Sequence, residues 1–206
     1  MQSHYSSDVA FTPSVKAIQA RKGSRAGYAK MEEGGGWRTE IDEALAAFIA
    51  EQTSAFLATA SADGQPSIQH RGGPPGFLRV LDAKTIAFAD FRGNRQYITS
   101  GNLAENPKAH LFLIDYVHRR RVKIWGRARV SEDPALIARV FPQGYRAIPE
   151  QAIVFEVAAW DANCPQHIPQ RFEAADVAAA LDARDRRIAE LEAEVARLRG
   201  AEASTP

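Results

Sequence analysis

Cysteine is almost absent: Cys164 is the single one among 206 residues. One thiol excludes an internal disulfide framework and a four-cysteine zinc site, and it suits a reducing compartment. A dominant charge is lacking too. Lys and Arg number 26 against 25 Asp and Glu, a net charge of +1, so no bulk field draws the chain to nucleic acid or to an anionic membrane. Any anion site has to be local. Apolar runs of membrane length are missing, and residues 1–21 have no signal-peptide core. The expectation is a cytoplasmic protein without a membrane or nucleic-acid partner. Neither G-x-G-x-x-G nor G-x-x-x-x-G-K-[ST] occurs, which removes the Rossmann and P-loop phosphate sites.

What is present has the composition of a soluble globular chain, 45% hydrophobic and 25% charged. Residues 1–38 read either as an arm wrapped over a core or as a disordered segment. Pro13 to Lys22 is helix-like, Gly34-Gly35-Gly36 breaks the pattern, and Trp37 beside that run needs cover. Residues 39–173 carry the core. Ile41, Leu45, Phe48 and Ile49 share one helical face. Strand-like segments follow at 54–59, 66–70, 77–81, 85–89, 109–114, 122–130 and 153–158, with Asp63-Gly64 as a hairpin signal. The spacing also predicts helices over 94–105 and 135–141. Many short strands, close turns and few helices predict a small antiparallel barrel. Residues 174–200 form a charged helix whose Leu181, Ile188 and Val195 stand seven apart, with Leu191 and Leu198 at the alternate core position and Arg184 weakening the seam there. It reads either as an amphipathic helix on its own domain or as a parallel coiled coil. Residues 201–206 are a tail.

Four polar clusters could carry chemistry. Gln69-His70-Arg71-Gly72-Gly73-Pro74-Pro75-Gly76 follows a strand, and its glycines let a ligand approach the backbone; a plain turn explains it as well. In Asp90-Phe91-Arg92-Gly93-Asn94-Arg95-Gln96, Asn94 reads as a helix N-cap. Arg95 in the first turn opposes the helix dipole, a conflict that a bound phosphate resolves; a solvated arginine is the plain alternative. His118-Arg119-Arg120-Arg121 is a basic loop in which Arg121 opens a strand. In the segment from Trp160 to Phe172, Cys164 and His167 invite a metal or nucleophile reading, but zinc needs two further ligands. A fixed covering loop is the plainer account, and no metal is expected.

In order, AFLATASADGQPSIQHRGG, TIAFADFRGNRQ, NLAENPKAHLFLIDY, RRRVKIWGRARV and WDANCPQHIPQRF resemble the pyridoxamine 5'-phosphate oxidase-like family of FMN-binding split barrels, in one of its poorly characterised branches. The likeness runs from Ile41 to Phe172. It implies a mainly β fold with α additions: a six-stranded antiparallel split β-barrel, here with a C-terminal charged helix. It also implies a homodimer with FMN at the subunit interface. Cofactor-binding positions carried over are Gln69, His70, Arg71 and Gly72 on one strand, Phe88 and Ala89 on its neighbour, and Asn94 with Arg95 at the phosphate. Arg121 stands where the family often has glutamine, and Trp160, His167 and Arg171 fall in the closing segment. His167 is the catalytic candidate, placed to orient a donor or move a proton.

The departures narrow the implied activity. The biosynthetic oxidases carry an arginine and a lysine in an apolar run where this chain has Gln69 to Gly76, and their C-terminal arginine–histidine spacing is not reproduced. The resemblance therefore implies an FMN-dependent oxidoreductase acting on a small molecule, and not oxidation of pyridoxamine phosphate. The alternatives are a flavin-binding or sensor module without turnover, and a split barrel that uses haem or the deazaflavin F420.

Overall fold

The structure is a computed structural model that describes residues 5–163 and 165–202. The expectations for Cys164 and for the end of the tail therefore lie outside the described residues. The chain divides into two units. One comprises the residues up to Asp115 together with Arg119–Gln166, and the other Tyr116–His118 with the residues from His167 on. No helix among the described residues is long and apolar enough to cross a membrane.

The first unit is mainly β with helices added. A 3-10 turn (Ser6–Val9) and helices α1 (Pro13–Lys22), α2 (Arg25–Glu33) and α3 (Glu43–Glu51) precede strands β1 (Ser54–Ala60), β2 (Pro66–Gly72), β3 (Arg79–Asp82) and β4 (Thr85–Phe91). Then come α4 (Ile98–Glu105), β5 (Lys108–Asp115), β6 (Arg120–Ser131), α5 (Pro134–Val140) and β7 (Pro149–Asn163). All pairings are antiparallel, in one seven-stranded sheet of order β2-β1-β5-β6-β7-β4-β3. That is one strand more than the six the resemblance implies, and the ladder does not close, since β2 and β3 end it. The sheet curls nonetheless. Neighbouring strands lie about 4.8 Å apart, so a flat sheet would hold β2 and β4 about 24 Å from each other; yet Arg71 on β2 hydrogen-bonds Asp90 on β4.

The curl encloses the main core. Phe48 and Ile49 of α3, Phe77, Leu57, Phe88, Leu111, Ile124, Ile153 and Phe155 are all at most 2% exposed within it. A second cluster on the outer side packs Ala87, Ala89, Ala152 and Val154 under Val140 of α5. Strand β7 serves both clusters by alternation, with Ile153, Phe155 and Val157 on one side and Ala152 and Val154 on the other, and a bulge adds Trp160 to the main core. Val157 and Trp160 both face the main core although same-face residues in a regular strand are an even number apart. The register shifts at Trp125/Gly126, where Trp125 pairs with Ala159 and Gly126 with Val157. Ala158 is the extra residue, and it turns Trp160 inward.

The arm is part of this unit. Trp37 stacks on Trp125 with ring centres 4.5 Å apart and 11° between planes, and Phe11 packs on Trp37 at 4.9 Å and on Tyr28 at 5.1 Å. The arm has a buried polar anchor as well. Glu32 accepts from Ser7 Oγ at 3.0 Å and is paired with Arg25 and Lys16. Burial alone would raise its pKa; the hydrogen bonds from Ser7, Arg25 and Lys16 outweigh it and hold the carboxyl below its usual range. Two glycines of the arm have separate uses: Gly23 takes the left-handed cap of α1 at φ 82°, while Gly27 sits inside α2.

In the second unit, α6 (Ala174–Glu202) follows a strap fixed to the 116–118 loop. Arg171 N–H donates to the Tyr116 carbonyl at 3.3 Å, and Gln170 Nε2 donates to the Val117 carbonyl at 3.0 Å.

Candidate functional site

Strand alternation decides what β2 offers. Gln69 and Arg71 face one side of the strand and His70 the other. Where the curl brings β2 to β4 and α4, Gln69 and Arg71 enter a polar network. Arg71 pairs with Asp90 through Nη1, and its Nη2 donates to Gln69 Oε1 and Thr99 Oγ1, both at 3.0 Å. Thr99 Oγ1 also donates to Gln69 Oε1 at 2.6 Å. Gln151 Nε2 closes the set, donating to Asp90 Oδ2 and to Ser100 Oγ at 2.8 Å each. One donor is left over: Arg71 Nε is buried and has no partner. The Arg71 charge is thus already neutralised by Asp90.

Two adjoining clefts open on this network. The smaller, about 70 Å³, is lined by Gln69, Arg71, the loop from Gly93 to Tyr97 and Glu150, among others. The other, about 220 Å³, is lined by His70, Arg71, Gly72, Phe88 and Ala89 with Arg92 and Gly93 at its edge. Phe88 contributes its backbone, because its ring is buried in the core against Phe77 at 6.4 Å. His70 leans away, with Nε2 2.8 Å from Ser54 Oγ and its ring on Phe56. A Cβ at Gly72 would stand 2.9 Å from the His70 ring, which would have to move aside. Eight of the positions carried over from the resemblance are therefore brought to one place.

The loop before α4 differs from expectation. The helix begins at Ile98, not at Asn94, and Tyr97 precedes it with no side-chain cap. Asn94 Oδ1 accepts instead from the Gln96 N–H at 3.4 Å. Arg95 and Tyr97 both adopt left-handed backbone, at φ 59° and 54°, a conformation that costs non-glycine residues energy and persists where the surroundings impose it. Arg95 is thus outside the first helical turn, and the dipole conflict does not arise. Its charge meets Glu150 instead. Arg95 Nε donates to Tyr97 Oη at 2.9 Å, and Tyr97 Oη donates to Glu150 Oε1 at 3.1 Å. Arg92 and Arg95 stand 3.5 and 3.7 Å from that carboxylate while remaining 51% and 61% exposed. Arg92, Thr99, Ser100, Glu150 and Gln151 had no role in the sequence reading. Thr99 and Ser100 are weak helix formers with no local mark of a site, and Glu150 and Gln151 lie far off in sequence.

The remaining candidates are elsewhere. Trp160 lines neither cleft. Its indole donates to the Glu40 carbonyl at 2.8 Å, Arg38 lies over its ring at 5.0 Å, and it borders a hollow of about 410 Å³ shared with Phe48 and Arg120. A second hollow of about 450 Å³ lies under the arm beside Trp37 and Trp125. Both are larger than the β2–β4 clefts. At their edges Arg38 pairs with Asp42 and Lys123 with Asp161, and Arg120 lies over the Phe48 ring at 4.8 Å. Arg121 is the second residue of β6, opposite Ile114, and its Nε is buried without a partner. His167 and Arg171 belong to the second unit. His167 is exposed at φ 64°, and Arg171 lies over the Tyr116 ring at 4.5 Å. Among the described residues no three His, Cys, Asp or Glu side chains gather as metal ligands do.

The fold and the clefts define a class, that of curled antiparallel sheets with a polar, partly cationic cleft where an end strand meets the far side of the sheet. Within it, the chain belongs to the pyridoxamine 5'-phosphate oxidase family, whose model matches residues 41–164. Among solved structures, HupZ of Group A Streptococcus is 20% identical, with 64% of this chain and 99% of that chain covered and a TM-score of 0.50. An FMN-binding protein of Syntrophomonas wolfei is 12% identical, covering 72% of this chain and 96% of its own, with a TM-score of 0.48. No curated protein matches the chain.

Proposed function

We propose that this chain is an FMN-binding split-barrel protein that works as a flavin-dependent oxidoreductase on a small molecule. The observation that carries the reading is the meeting of β2, β4 and the 92–97 loop in one pair of clefts, with cations at one end and an unpartnered buried donor, Arg71 Nε, at the other. The residues suit the group. Arg92 and Arg95 would hold the phosphate, with Asn94 beside them. Gln69 and Arg71 would face its polar edge, and His70, Gly72, Phe88 and Ala89 would form the wall. Bound there, FMN supplies the hydride or electron transfer.

The chain's own residues then do three things. Arg92 and Arg95 neutralise the phosphate charge, in competition with Glu150. Asp90 and Thr99 fix the Arg71 guanidinium, so that it presents Nε–H without having to reorganise. His167 is proposed to orient the substrate or move a proton.

The reading includes a homodimer. Neither cleft reaches the roughly 300–1,000 Å³ of a cofactor-sized pocket, so one chain supplies a floor without walls. The outer face of β2 carries Ile68, 65% exposed, next to Phe56 and Phe112 on β1 and β5, an apolar surface on an edge strand that a second copy would cover. Arg121 and Trp160, absent from the clefts of their own chain, are assigned to the cofactor of the other copy.

The test is a visible absorption spectrum of the purified protein, before and after addition of FMN and gel filtration. Flavin bands that stay with the protein are expected, and bleaching by a donor then establishes turnover. FMN that washes through overturns the cofactor assignment, and a haem or deazaflavin spectrum replaces it. Bands that no donor bleaches leave a binding module. His167→Ala is expected to lower turnover with flavin retained.

A further inference from the structure

Helix α6 runs unbroken over Ala174–Glu202, and its large apolar side chains stand in water. Val177, Leu181, Ile188, Leu191, Val195 and Leu198 are 44%, 54%, 53%, 47%, 43% and 48% exposed. They occupy only two positions of a seven-residue repeat. Leu181, Ile188 and Val195 hold the first; Val177, Leu191 and Leu198 hold the second, with Arg184 in the remaining place. That is the narrow seam of a coiled coil, and a helix lying on a core shows a wider stripe. A groove along it is lined by Ile188, Leu191, Glu192, Val195, Ala196 and Arg199.

We propose that α6 pairs in parallel with α6 of a second copy of this chain as a two-stranded coiled coil. Two features select a copy as the occupant. First, β-branched Ile188 and Val195 at one seam position with Leu191 and Leu198 at the other form the combination that favours two parallel strands. Second, the flanking charges complement their own copies. In a parallel pair, the residue just before the first seam position faces the residue five places further along the other helix. Arg187 of one copy then meets Glu192 of the other, and Glu194 meets Arg199. Within one helix Arg187 holds Glu190 at 2.9 Å, and Glu194 holds Arg197. Exposed pairs of that kind are weak and exchange readily. Arg184 marks the weakest layer of the seam.

The experiment uses the full chain with Cys164→Ser, so that one introduced thiol reports. Leu191→Cys and Leu198→Cys place a thiol in the seam, and Ala193→Cys places it on the outer face. Under mild oxidation both seam variants are expected to run as disulfide-linked dimers on a non-reducing gel, forming at least tenfold faster than for Ala193→Cys. Equal rates for all three, or no dimer from either seam variant, overturn the pairing. A dimer from Leu191→Cys without one from Leu198→Cys overturns the parallel orientation. Adding Arg187→Glu to Leu191→Cys is expected to slow linkage, and Glu192→Arg on top to restore it; failure of the restoration overturns the charge match. Flavin content, read on the same samples, reports separately on the cofactor.

Discussion

Glu150 sets how much positive charge the smaller cleft offers, because its carboxylate lies against both Arg92 and Arg95. Glu150→Gln removes the competitor and is expected to tighten FMN binding, most at low salt, where exposed charges are least screened. Arg95→Ala is expected to weaken it by about tenfold to a hundredfold, the value of one charge-assisted hydrogen bond of roughly 1.5–3 kcal/mol. Flavin titrations at two salt concentrations check both. His110 poses a different question. Burial first, and then the charge of Lys123, push its pKa from the ordinary 6.5 down to about 4. Its ring lies edge-on to Trp125 at 5.0 Å. The unfolded chain therefore binds a proton below about pH 6.5 that the folded chain refuses until about pH 4. Stability falls as pH drops through that window. In His110→Phe that part of the pH dependence is expected to disappear, as urea midpoints at pH 7.5 and pH 5 would show. Gln69, Arg71 and Arg95 were legible as candidates because polar and glycine residues cluster at strand ends. That Arg71 is committed to Asp90, nineteen residues away, was not, because side-chain pairing across a sheet leaves no local pattern.

At the scale of elements, apolar spacing located the strands and α3, and the hairpin around Asp63-Gly64 joins Ala60 to Pro66 as that dipeptide predicts. Boundaries failed where tertiary contacts set them. Helix α4 starts late because Arg95 and Tyr97 take left-handed backbone to meet Glu150. Strand β7 runs on to Asn163 because β6 continues beside it and because its bulge turns Trp160 into the core. Gly126 sits at that bulge. A Cβ there would fall 2.0 Å from the Glu156 carbonyl oxygen and 2.6 Å from the Phe155 ring, and a backbone atom cannot yield as a side chain can. Gly126→Ala is expected to cost several kcal/mol, in the range of overpacking combined with backbone strain, and to lower the thermal midpoint markedly. A midpoint within 2 °C or so of the parent would show that the bulge relaxes.

At the scale of the whole molecule, two faces are proposed to meet a second copy: the apolar side of β2 around Ile68, and the seam of α6. They are separable by mutation. Ile68→Asp places a charge on a surface that the proposed dimer buries, and an unpaired buried charge costs several kcal/mol. Flavin affinity is expected to fall at least tenfold while the α6 cross-link through Leu191→Cys persists. Loss of both together would show that the two interfaces form as one.

The sequence by itself determined the strand segments, the paired-strand turn, the amphipathic α3, the heptad pattern of α6 and the clustering of polar residues at Gln69–Gly72 and Asp90–Gln96. Each of these is written in the local spacing of apolar, turn-forming and charged side chains, and backbone geometry turns that spacing into faces and ends. Tertiary structure alone decided that the sheet curls until β2 reaches β4, that Asp90, held by Gln151, pairs with Arg71, that Glu150 faces the arginine pair, and that Trp160 turns inward. These depend on strand order, register and a one-residue bulge. Such features join residues tens of positions apart through packing, which no short stretch of sequence contains.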